Sequence, residues 1–149
     1  MIKNSIIKNI LLIEDNPSHQ DLMQVAFEEN NILHNLHIVS NGPEALIFLR
    51  YLPPYANEPR PDLIFLDLDL PGMRGHEILE IIKQDITLKI IPVVVFTSSG
   101  KTKDIIQSYS LKANCYLQKP FELEDFLTIV PKTLNFWLDL ANFPDRHIG

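Results

Sequence analysis

Three shortages bound what this chain can be. Its 149 residues hold a single cysteine, Cys115, so no disulfide can close within the chain and a reducing compartment is the simpler setting. Cys115 lies in an apolar run, where it reads as a buried, inert thiol. Long apolar runs are missing as well, and none approaches the roughly 20 residues of a membrane-spanning helix. The stretch from Met1 to Ile13 carries two lysines but runs into Glu14 and Asp15 without the small-residue cleavage pattern of a secretion signal. A cytoplasmic protein with no membrane association is expected. Positive charge is the third shortage. Thirteen Lys and Arg against nineteen Asp and Glu leave a net charge of −6, which argues against nucleic acid as a partner, because phosphate backbones attract basic patches. A divalent cation or a basic protein surface suits this balance better.

What is present is organised around Leu63 to Gly75. Four continuous apolar residues, Leu63 to Leu66, read as a strand buried on both faces, and the run stops at Asp67, followed by turn residues. Asp67 is therefore expected at the carboxyl end of a central strand, the edge of an open α/β sheet where ligands bind.

The rest of the chain repeats this pattern. Ile10 to Ile13 form a short apolar strand ending in Glu14 and Asp15, and Asn16 and Pro17 then supply a helix cap and a first-turn proline. Leu36 to Val39 is a weaker strand, followed by a helix opened by Asn41, Gly42, Pro43 and Glu44. The connector from Tyr51 to Pro61 holds four prolines and reads as a stiff spacer on the side of the sheet away from the acids. Ile78, Leu79, Ile81 and Ile82 mark a helix. Pro92 to Phe96 make a strand ended by Thr97, and Ile105, Ile106 and Tyr109 mark another helix. Cys115 to Leu117 form a fifth strand ended by Lys119 and Pro120, and a last helix begins near Phe121. Five strands alternating with five helices predict a doubly wound parallel sheet, because parallel strands need helical crossovers. A single domain spanning 1–149 is expected, with a core of about 8–133 and a C-terminal extension of about 134–149.

In the flavodoxin-like strand order 2-1-3-4-5, strands one and three are neighbours at the switch point, so Glu14, Asp15 and Asp67 converge in one crevice. Repulsion among them is relieved most simply by a hard cation, and magnesium suits carboxylates, a backbone carbonyl and waters. Lys119 adds a positive charge and Thr97 a hydroxyl donor, which a transferred phosphoryl group needs beyond the metal.

These residues closely resemble the receiver domain of two-component response regulators over about Ile10 to Thr133. The resemblance implies that Asp67 is the phosphoacceptor, Asp15 a direct Mg2+ ligand, Glu14 a ligand through water, and Asp69 a ligand through its backbone carbonyl. It implies that Thr97 and Lys119 hold the phosphoryl oxygens, that the Lys119–Pro120 bond is cis, and that Tyr116 is an aromatic switch residue. Gly75 matches a turn glycine. The proline-rich insertion and the aromatic C-terminal extension resemble more particularly the phytochrome-associated response regulators. The partner is then a sensor histidine kinase, and the chain is no enzyme beyond slow self-dephosphorylation.

On this reading, phosphorylation draws Thr97 towards the phosphoryl group and leaves room for Tyr116 to turn inward. In the last helix, Leu123, Phe126, Leu127, Val130, Leu134 and Trp137 form a stripe for packing on the sheet. Ile129, Phe136, Leu140 and Phe143 form a second stripe that a monomer would expose, which predicts a homodimer through the fifth helix and the extension. Pro131 is expected to interrupt that helix. Two alternatives remain, a phosphate-independent interaction module and a haloacid-dehalogenase-like phosphatase suggested by Asp67-Leu68-Asp69. The five histidines show no ligand-like grouping and read as surface residues.

Overall fold

The computed structural model describes residues 6–144. Within them five strands alternate with five helices: β1 (Lys8–Ile13), α1 (Pro17–Glu28), β2 (His34–Val39), α2 (Gly42–Leu49), β3 (Leu63–Leu66), α3 (Gly75–Gln84), β4 (Val93–Thr97), α4 (Thr102–Ser110), β5 (Cys115–Gln118) and α5 (Leu123–Asn135). The strands pair in parallel in the order β2-β1-β3-β4-β5, the flavodoxin-like arrangement that the sequence predicts.

Continuous apolar strands are what such a sheet requires, since both faces are covered. Leu11, Ile13, Ile64, Leu66, Val93 and Val95 point to one face, where α2 brings Phe48 and Leu49 and α3 brings Ile78, Leu79 and Ile82. Their strand neighbours Ile10, Leu12, Leu63, Phe65, Val94 and Phe96 point to the other, against Met23 and Phe27 of α1 and Phe126, Val130 and Leu134 of α5. Phe27, Phe65, Phe96 and Phe126 meet edge to face in turn, with ring centroids 6.0, 6.0 and 5.3 Å apart. Each such contact adds about 0.5–1.5 kcal/mol beyond area burial.

The connector between α2 and β3 is more firmly tied than a bare spacer. The Tyr55 hydroxyl donates to Glu44 Oε2 at 3.0 Å, and its ring packs against Phe48 and His37. The helix that Pro131 was expected to interrupt runs through it to Asn135. The buried face of Phe126, Val130 and Leu134 holds the turns on both sides of the proline against the sheet, so packing outweighs the lost backbone hydrogen bond. A π-helical turn, Phe136–Leu140, follows directly.

In that C-terminal segment Trp137 is half-buried and Leu138 buried, while Phe136, Leu140 and Phe143 remain 51%, 64% and 42% exposed. Ile129, expected to share the exposed stripe, is half-buried against the domain's own core. Leu123, expected to pack on the sheet, is exposed and lines a groove beside Phe121 instead. The expected extension continues to Gly149, and its last five residues lie outside the described ones.

Candidate functional site

Strand register brings the candidate residues together. Ile13 pairs with Leu66, and the Asp67 N–H donates to the Ile13 carbonyl at 3.1 Å, so Glu14 and Asp67 leave adjacent strands side by side. On the other flank Thr97 pairs with Gln118, and the Lys119 N–H donates to the Thr97 carbonyl at 2.7 Å. Glu14, Asp67, Thr97 and Lys119 are all buried, whereas Asp15 is exposed at the rim. Close behind Asp67, the Gly75 N–H donates to the Leu68 carbonyl at 3.1 Å. A Cβ on Gly75 would lie 2.4 Å from the Asp67 carbonyl oxygen, so only glycine permits this approach.

The Lys119 ammonium lies at the centre. Its Nζ is 2.5 Å from Glu14 Oε1, 3.0 Å from Asp67 Oδ2 and 2.8 Å from His19 Nδ1. An ammonium only donates, so His19 Nδ1 accepts and the imidazole is neutral. Burial, and then the Lys119 charge, hold the His19 pKa below its ordinary value. His19 is thus no plain surface residue. Its one mark in the sequence is its place in the first turn of the helix that follows the acidic pair.

Burial, and then the Asp67 charge, push the Glu14 carboxyl up to about 7, against the lowering effect of Lys119 and the Asn16 N–H. Burial also raises Asp67, but the Lys119 charge and hydrogen bond, helped by the Asp69 N–H at 3.2 Å, outweigh it and hold Asp67 below the usual carboxylate range. Asp67 therefore stays ionised, the state that a nucleophilic carboxylate needs.

Two observations test what this cleft can hold. Glu14, Asp15 and Asp67 each offer a carboxylate oxygen, and these oxygens all lie within 4.8 Å of one another, a donor set that fits a hard divalent cation. Thr97 Oγ1 is buried without a hydrogen-bond partner. It nonetheless lies near enough to Asp67 to help hold that carboxyl down, as a loosely placed hydrogen-bond donor would. Asp15, Asp69, His19 and Ser98 line an open cavity of about 460 Å3 over the buried residues.

One further expectation changes. The Lys119–Pro120 bond is not cis; the cis peptide among the described residues is Pro53–Pro54. The isomers of an X–Pro bond differ by only about 0.5–1 kcal/mol, and Lys119 reaches both carboxylates from the trans bond. Tyr116 is half-buried, its hydroxyl donating to the Ser99 carbonyl at 2.8 Å.

Comparison with known proteins places this geometry. The response regulator receiver domain family matches residues 10–131. Response regulator Rcp1 of Synechocystis sp. is 44% identical over 92% of this chain and 93% of that protein. Among solved structures, the phosphorylated cyanobacterial phytochrome response regulator RcpA aligns with a TM-score of 0.90 at 44% identity, covering 94% of this chain and 100% of that one. The Mn2+-bound form of Rcp1 aligns with a TM-score of 0.87 at 43% identity, covering 93% and 99%. A match that runs from the first strand into the last helix, with relatives covered almost end to end, shows that this chain belongs to the response regulator receiver domains.

Proposed function

We propose that this protein is a phosphoacceptor in a two-component phosphorelay, taking a phosphoryl group from the phosphohistidine of a sensor histidine kinase onto Asp67. One observation carries the reading: the Thr97 hydroxyl is buried beside an ionised Asp67 with no acceptor in good hydrogen-bonding geometry. An unsatisfied buried hydroxyl costs about 1–3 kcal/mol, and a phosphoryl oxygen on Asp67 would supply the missing acceptor. Lys119, already 3.0 Å from Asp67, pairs with a second oxygen.

In the transfer, an Asp67 carboxylate oxygen forms the new P–O bond as the P–N bond breaks, and the electron pair of that bond stays on the kinase imidazole. Magnesium is the cation proposed for the cleft, bound directly by Asp15 and Asp67, by the Asp69 carbonyl, and by Glu14 through water; when bound it offsets charge on the phosphoryl oxygens. Water later attacks the phosphorus and Asp67 leaves as carboxylate, a slow self-dephosphorylation.

The phytochrome relatives support a phytochrome-type photoreceptor as the kinase. The kinase surface proposed is the groove of Leu22, Leu123 and Phe126 that adjoins Lys119, where Phe121 is 98% exposed. Thr97 and Tyr116 are proposed as the switch, and α5 with the C-terminal segment as a homodimer surface, both in a cytoplasmic protein.

Intact mass after incubation with acetyl phosphate, with and without magnesium, tests the reading on wild type and Asp67→Asn. A single metal-dependent phosphoryl addition that vanishes in the variant is expected. No addition under any condition would leave an interaction module as the better account.

A further inference from the structure

His19 stands at the third residue of α1 because Asn16 caps that helix. The Asn16 side chain accepts from the backbone N–H groups of Ser18 and His19 at 2.9 and 3.2 Å. Side chains in a first turn lean back towards the helix start, and here the lean carries the imidazole over the acidic cleft to Lys119, 100 positions away in sequence.

An ammonium has three hydrogens to donate. Lys119 gives them to Glu14 Oε1, Asp67 Oδ2 and His19 Nδ1. Two of these acceptors belong to the carboxylate group that fits a cation, and Asp67 is also where the phosphoryl group would go. His19 is the third acceptor, and it belongs to neither. Once the carboxylates turn to other partners, it alone keeps its hold on the ammonium.

We infer that His19 is a positioning residue for phosphoryl transfer, its neutral Nδ1 anchoring the Lys119 ammonium beside Asp67 while Glu14 and Asp67 are engaged elsewhere. This rests on the phosphoacceptor reading. The lysine stem is long and flexible, and an anchor at its tip removes that freedom before the reaction begins. The imidazole is no member of the carboxylate set that fits a cation, and its hydrogen bond is to Lys119, through which it acts. Its side chain is 30% exposed, so replacing it leaves the core intact.

The test is the rate of phosphorylation by acetyl phosphate with magnesium, a donor too small to report on kinase docking. It is followed by intact mass on full-length wild type, His19→Ala and His19→Asn, and on both Lys119→Met and the double variant with His19→Ala. His19→Ala is expected to slow the saturating rate about five- to twentyfold, with the half-saturating donor concentration changed less than about twofold. In His19→Asn the amide oxygen stands near the lost Nδ1 and is expected to restore most of the rate. In the Lys119→Met background His19→Ala is expected to add nothing. A second readout needs no metal: with chelator present, the 15N resonance of His19 Nδ1 marks an unprotonated acceptor and moves on Lys119→Met.

The inference is overturned by a His19→Ala rate equal to wild type, by a His19→Asn rate as slow as that of His19→Ala, by equal slowing in the Lys119→Met background, or by an Nδ1 resonance indifferent to Lys119. Wild type that takes no phosphoryl group at all would instead overturn the phosphoacceptor reading, and this inference with it.

Discussion

The Tyr116 hydroxyl donates to the Ser99 carbonyl at 2.8 Å, fastening the ring on β5 to the connection between β4 and α4. The same connection is held from α4, where Ser99 Oγ donates to Asp104 Oδ2 at 2.5 Å. Tyr116→Phe removes one of these ties. A single hydrogen bond contributes about 0.5–1.5 kcal/mol, so amides from Ser98 to Lys101 should exchange with solvent roughly two- to tenfold faster in the variant. Unchanged protection would show that the loop holds without the tyrosine, and would remove Tyr116 as a control on this surface.

Gly75 makes a sharper prediction. An added methyl would meet the Asp67 carbonyl oxygen at 2.4 Å and the Leu68 Cα at 2.6 Å, both backbone atoms that cannot rotate away. Gly75→Ala should therefore destabilise the fold by about 1–3 kcal/mol and slow labelling of Asp67, because relief requires the strand end to shift. Urea unfolding together with acetyl phosphate labelling reads both effects. Wild-type values in each would mean that the turn relaxes on its own side.

Asp15 is exposed while the rest of the acidic group is buried, which makes it the cleanest probe of the cation. Magnesium at about 100 times its dissociation constant should stabilise wild type by about 2.7 kcal/mol, seen as a rise in thermal midpoint. Asp15→Asn should lose most of that rise and keep the metal-free midpoint. An equal rise in the variant would place the cation elsewhere.

His76 links stability to pH. Its Nε2 lies 2.9 Å from Ser108 Oγ, and that hydroxyl spends its own hydrogen on the Asp104 carbonyl, so His76 is the donor. Burial, aided by Arg74, lowers its pKa below 6.5 despite the opposing charge of Asp104. The folded protein then binds this proton less readily than the unfolded chain, so the stability contributed by His76 is complete above pH 6.5 and is lost as pH falls from there through the folded value. Urea midpoints of wild type and His76→Gln should converge between about pH 7.5 and 5.5. Parallel curves would mean that the ring titrates as if unfolded.

The exposed C-terminal face is testable by mass in solution. Phe136 and Leu140, 51% and 64% exposed, are proposed to meet a second copy of the chain. Sedimentation should give a dimer for wild type at micromolar concentration and a monomer for Phe136→Ser with Leu140→Ser, with little change in unfolding midpoint because neither side chain is in the core. A wild-type monomer, phosphorylated or not, would exclude this interface.

Much of the site was legible because each strand is a short apolar run that ends abruptly. Asp67, Thr97 and Lys119 follow such runs, and a parallel sheet brings those ends to one edge whatever the details of packing. His19 was not legible, because its role depends on a helix cap and on a lysine 100 residues away. The isomer before Pro120 was hidden for a different reason, since two states so close in energy are decided by tertiary contacts. Pro131 shows propensity overruled by packing, and the burial of Ile129 shows a stripe shared between the core and the surface.

The ammonium of Lys119 within hydrogen-bonding distance of both Glu14 and Asp67 also bears on how the molecule is made. A newly synthesised chain that closes its sheet must bring buried carboxylates together at the strand ends, a step that would stall if it depended on capturing an ion from solution. With a tethered counter-charge just past its own last strand, the domain can close this crevice without a divalent ion. The ion is then kept for the chemistry proposed at Asp67 and need not decide whether the domain folds.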